Sequence, residues 1–260
     1  MGFVFTIIGL FACTNNTVGR AKQALDAHDL ATAEKLYREA LGHDPSDTKA
    51  LAGLGWTYHL ALKPEEAANS FTQCLNQQPT NTECIRGRSS VILSQGDILL
   101  AETWIERAQQ ISPDDPELQI TMALLHLAKG EITQGREILE SVVQRFPTNS
   151  RFRLPYSESL FREGQSERAL ENVEEALKIS APRRTVAMLW VLRARILLDI
   201  SAKSENCSDV SKIQQWVDEA ERSLFEVKET GVAVPNLAII ERQMHRRRTH
   251  LQEKCGLKSD

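Results

Sequence analysis

The sequence predicts an all-α fold, a solenoid of stacked helix hairpins, and three observations carry that prediction. Proline recurs at a fixed interval: Pro45, Pro79, Pro113 and Pro147 follow one another at 34 residues with no insertion. Between the prolines, small and bulky residues alternate at helical spacing in the same order each time. Turn residues fall at one place in the period, as His28-Asp29, Gly96-Asp97, Gly130-Glu131 and Gly164-Gln165, where one helix has to stop and the next has to start. A unit this short cannot bury its apolar face alone, so its neighbours must cover it.

Composition agrees with a folded, water-soluble array. Of 260 residues 42% are apolar and 25% charged, with 9 Pro and 13 Gly, which is globular usage. The net charge of −4 supplies no chain-wide basic field for phosphate, so no nucleic-acid partner is expected.

The first element, residues 1–12, carries no charge and is almost wholly apolar (Phe3, Val4, Phe5, Ile7, Ile8, Leu10, Phe11). It is too short to span a bilayer as a helix but has the length of a signal-peptide apolar region, and it ends in Leu10-Phe11-Ala12-Cys13. This run resembles a bacterial lipoprotein signal. The resemblance implies cleavage before Cys13, lipidation of its thiol, and a membrane tether through that lipid. No Lys or Arg precedes the run, and Phe11 stands where that family usually has a smaller residue. Two other readings stay open: an apolar first helix packed on the array, and N-myristoylation, whose bare pattern Met1-Gly2-Phe3-Val4-Phe5-Thr6 fits.

The repeats follow. The second unit reads Leu51, Leu54, Gly55, Tyr58, Ala67, Phe71, Cys74 and Pro79. The first supplies Ala21, Ala24, Ala33, Tyr37, Ala40 and Pro45, and the third Ile85, Ser89, Ile92, Ala101, Ile105, Ala108 and Pro113. The fourth has Ala123, Gly130, Gly135, Leu139, Val142 and Pro147; the fifth has Leu160, Gly164, Ala169, Val173, Ala176 and Leu177, with its proline displaced to Pro182. Small residues let the helices of a hairpin approach, bulky ones fill the space between hairpins, and proline is expected to open the next helix without a lost donor. The pattern over roughly 14–182 resembles the tetratricopeptide repeat family.

Beyond residue 182 the pattern loosens. Val186 to Ile200 reads as another first helix, a polar stretch from Ser201 to Asp209 swells the turn, and Trp216, Ala220, Leu224 and Val227 mark a second helix. After Gly231 a last helix carries Leu237, Ile240, Met244 and Leu251 on one face, with Arg242, Arg246, Arg247 and Arg248 largely off it. That is the polar cap an open solenoid end needs. The run His245 to Arg248 could also meet lipid headgroups or nucleic acid, but a solvated cap explains it more simply. The organisation is therefore a signal over 1–12, five repeats over 13–182, a degenerate sixth hairpin over 183–230, and a capping helix and tail over 231–260.

Setting Cys13 aside leaves Cys74, Cys84, Cys207 and Cys255, an even number that suits an oxidising compartment. Cys74 and Cys84 flank one predicted turn, so the favoured pairs are Cys74 with Cys84 and Cys207 with Cys255; Cys74 reads equally well as a small core filler. No CxxC, HExxH, P-loop or dinucleotide motif is present. Neither an enzyme, a cofactor, a bound metal nor a small-molecule substrate is expected.

The family resemblance implies a right-handed superhelical array whose inner wall, made by the first helix of each unit, holds a protein or peptide. Register places Lys49, Trp56, Leu60, Arg86, Ile120, Leu124, Leu154, Glu158 and Arg162 on that wall. Its bulky apolar members suit an amphipathic helix or apolar peptide. The expectation is a non-enzymatic scaffold at the periplasmic face of the outer membrane. It resembles the lipoproteins that act as pilotins for pilus secretins or as adaptors for cell-wall enzymes; a soluble cytoplasmic adaptor is the alternative.

Overall fold

In a computed structural model, residues 17–203, 210–234 and 236–255 are described. Among them are thirteen helices and no strand. The chain forms two compact units that divide between Glu131 and Ile132.

Unit 1 holds a helix over residues 17–26 (α1), then α2 (Leu30–His43), α3 (Thr48–Leu60), α4 (Pro64–Gln77), α5 (Thr82–Ser94), α6 (Ile98–Ile111) and α7 (Pro116–Lys129). Side chains at the starts satisfy amides that have no partner inside the helix. Asp29 accepts from the Thr32 amide at 3.1 Å, Asp47 from Lys49 at 2.9 Å, and Asn81 from Cys84 at 3.1 Å.

The periodic prolines do not open helices, contrary to the sequence expectation. Pro45, Pro79 and Pro113 each sit second in a four-residue turn closed by a backbone bond: Asp47 to Asp44 (3.2 Å), Asn81 to Gln78 (3.0 Å) and Asp115 to Ser112 (3.3 Å). Proline presets that turn position, and the capping residue closes the turn two residues later.

Inside each hairpin the first helix is followed within two residues by one with positive φ: His28 (61°), Leu62 (58°), Gly96 (87°) and Gly130 (81°). The next amide then bonds back five residues, as from Lys63 to the Tyr58 carbonyl at 2.9 Å and from Asp97 to Ile92 at 3.3 Å. Leu62, the one such residue that the turn chemistry did not flag, is 82% exposed.

The core of unit 1 runs from Ala21 to Leu125 through every hairpin. Two aromatics set its spacing. The Tyr37 ring lies over Gly53, where a Cβ would come within 2.1 Å of it, and Phe71 lies over Gly55 and Gly87, with closest approaches of 2.7 and 2.2 Å. Cys74, in the last turn of α4, and Cys84, in the first turn of α5, are disulfide-bonded with Cα atoms 6.3 Å apart. Both residues are fully buried.

Unit 2 holds α8 (Ile132–Arg145), α9 (Ser150–Arg162), α10 (Ser166–Leu177), α11 (Arg183–Lys203), α12 (Val210–Glu229) and α13 (Leu237–Cys255). The sixth hairpin is longer than its predecessors: α11 and α12 have 21 and 20 residues, against 12 in α10. Last comes α13, which packs on α11 and α12 and buries Ile240 and Leu251. Its basic run is largely used inside the unit. Arg248 pairs with Asp218 at 2.7 Å and Glu221 at 2.9 Å, which holds its guanidinium above the ordinary arginine range, and Arg247 donates to the Ser201 carbonyl. Cys255 is disulfide-bonded; Cys207, like Cys13, lies outside the described residues. No described helix is long and apolar enough to cross a membrane.

Candidate protein-binding wall

In unit 1 the first helices α3, α5 and α7 lie side by side, α5 packing on both others. Residues at equivalent places on consecutive helices therefore form columns 34 residues apart. Lys49, at the start of α3, is exposed. Trp56, two turns on, is half-buried: its ring meets Phe71 edge-on at 5.4 Å and His59 at 5.7 Å. The Arg86 guanidinium of α5 covers it at 4.7 Å from the ring centroid and also reaches Glu117 of α7 at 3.5 Å. This places the Trp56 indole N–H, which has no acceptor among the described residues, out of contact with solvent.

The Trp56–Arg86–Glu117 series thus ties three hairpins together. A cation over an indole contributes on the order of 1 kcal/mol when partly desolvated. An Arg86 side chain only 15% exposed is a bracing group first and a contact group second. Glu117 was not among the residues expected on the wall. Its signal was an offset of about thirty residues, because a side chain on one first helix leans toward an earlier position on the next.

Ile120 is buried at 9% exposure, so it packs the unit and offers a partner little. Leu124, one turn further along α7, is 40% exposed. Leu60, the last residue of α3, is half-buried. The open part of the unit 1 wall is therefore Lys49, Leu60, Leu124 and the covering face of Arg86.

In unit 2 Leu154 is half-buried on α9. Glu158 pairs with Arg195 of α11 at 3.0 Å and with Arg162, one turn along α9, at 3.5 Å. Arg195 also lies over the Phe161 ring at 5.2 Å. Arg162 keeps half of its side chain exposed. The arrangement is a set of charge-braced first helices, and no group of three or more His, Cys, Asp or Glu among the described residues could hold a metal.

This architecture defines an all-α helix-hairpin array. Residues 18–73 and 93–154 match family models described as tetratricopeptide repeat, so the chain carries tetratricopeptide repeats. Among curated proteins it is similar to interferon-induced protein with tetratricopeptide repeats 3 of Mus musculus, at 21% identity over 66% of this chain and 43% of the relative. The chain spans less than half the length of the curated relatives it matches. Among solved structures, a tetratricopeptide repeat protein from Parabacteroides merdae superposes with a TM-score of 0.67 at 16% identity, covering 89% of this chain and 84% of that one. PilW, described as a widely conserved type IV pilus biogenesis factor, superposes with a TM-score of 0.55 at 13% identity, covering 88% and 98%. These likenesses are of fold.

Proposed function

We propose that this protein is a non-enzymatic scaffold that is tethered to the periplasmic face of the outer membrane through lipid on Cys13 and serves assembly of an envelope complex. The repeat array carries the scaffold part, since arrays of this family present first-helix walls to proteins and peptides. The apolar run ending in Leu10-Phe11-Ala12-Cys13 supports the tether. The buried Cys74–Cys84 bridge supports folding in an oxidising compartment. The pilus-factor likeness is one of fold; together with the Cys13 run it makes a pilotin-like role the preferred form of the proposal.

Metabolic labelling with a palmitate analogue tests the tether. Native protein is expected to incorporate label and fractionate with membranes, and Cys13→Ala to do neither. An unlabelled native protein that fractionates with the cytosol would instead establish a soluble adaptor.

A further inference from the structure

A cleft of about 450 Å³ opens in unit 2, lined by Glu174 and Leu177 of α10, Trp190 and Arg193 of α11, and Glu219, Arg222 and Glu226 of α12. Its origin is a mismatch of lengths. Both α10 and α12 pack on α11, and Arg193 joins Glu174 of α10 to Glu219 of α12; past that level α10 ends at Leu177, whereas α12 runs on to Glu229. The last turns of α12, from Arg222 on, therefore run past the end of α10 and line the cleft with Leu177.

One edge of the cleft is fixed. Arg193 binds Glu219 at 2.8 Å and Glu174 at 3.0 Å and donates to the Ser223 hydroxyl at 3.0 Å. Its guanidinium is therefore fully engaged, and the trio carries a net negative charge. The half-buried Trp190 indole and Leu177 give apolar walls. On the rim, the exposed side chains of Arg222 and Glu226 have no partner among the described residues. The C-terminal end of α10 adds the negative pole of a helix. An apolar wall bounded by carboxylates and a negative helix end matches an alkyl chain that ends in a cation.

We propose that this cleft, which none of the wall residues named above lines, is a second binding site, and that it takes a lysine or arginine side chain presented by a partner protein. The alkyl stem lies along Trp190 and Leu177, and the charged head meets Glu226 and the end of α10.

The test is a titration of the full chain with a short peptide of alternating lysine and alanine, followed by the indole N–H signal of Trp190, which Trp190→Phe identifies. The basic peptide is expected to move that signal to saturation, and an alanine-glutamate peptide to leave it in place. Glu226→Gln, an exposed substitution, is expected to weaken binding about two- to fivefold, the range of a partly exposed ion pair. An immobile Trp190 signal, an equal response to the acidic peptide, or unchanged affinity in Glu226→Gln would each overturn the proposal.

Discussion

Gly53 and Gly87 are small for different reasons from the glycines of the hairpin turns. Each sits mid-helix, where glycine costs about 1 kcal/mol relative to alanine, and each lies under an aromatic ring too close for a Cβ. Phe71 is fully buried and has nowhere to move. Gly87→Ala is therefore expected to destabilise the protein by ~1–3 kcal/mol, read as a lower midpoint in urea. Gly42 in α2 has open space around its Cβ position, and Gly42→Ala is expected to stabilise by up to ~1 kcal/mol. Gly55 was legible in the repeat pattern; Gly53 and Gly87 were not, because their constraint comes from the direction of a ring on a neighbouring helix.

Two carboxylates link stability to pH. Asp29 is held below its ordinary range by the Thr32 hydroxyl and amide, and Asp44 by those of Ser46. A depressed carboxylate contributes stability that is complete above its unfolded value and is lost as pH falls through its folded one. Asp29→Asn combined with Asp44→Asn should therefore flatten the loss of stability on acidification below about pH 4, measured as urea midpoints at neutral and acid pH.

At the scale of elements, the joints between hairpins carry the structure. The second and third hairpins are joined covalently by Cys74 and Cys84, ten residues apart, with Trp56 packed on Phe71 one turn before the bridge and Arg86 two residues after it. Replacing both cysteines with alanine is expected to cost ~2–3 kcal/mol, most clearly as a lower thermal midpoint under non-reducing conditions. Asn81→Ala, which removes the cap of α5, is expected to cost ~1 kcal/mol whether the bridge is oxidised or reduced.

The elements were legible because period and capping chemistry are local. The place of proline was not, since a turn and a helix start lie only two residues apart in sequence. Leu62 escaped notice for a related reason: a leucine at positive φ carries no turn signature of its own, and the backbone bond from Lys63 to Tyr58 forms without one. The sixth hairpin was readable as swollen, but the cleft beside Leu177 was not, because it follows from the relative lengths of α10 and α12.

Across the whole molecule, repeat identity was readable along most of the chain, whereas the binding wall was only partly so. Register put Trp56, Arg86, Ile120 and Leu124 in neighbouring columns but could not tell which side chains the array consumes. The structure assigns Trp56 and Arg86 to bracing, buries Ile120, and leaves Leu124 outward. Truncating Trp56 should therefore lower stability together with binding, whereas a change at Leu124 should act on binding alone.

On the function proposed, this array holds a protein through its first-helix wall. The most direct measurement compares partner capture by the native protein, Leu124→Asp on the wall and Leu99→Asp, a 78% exposed position on the second helix of the third hairpin. With thermal midpoints unchanged in both variants, Leu124→Asp is predicted to weaken capture by ~1–3 kcal/mol and Leu99→Asp to leave it intact. Unchanged capture by Leu124→Asp, or a loss confined to Leu99→Asp, would contradict it.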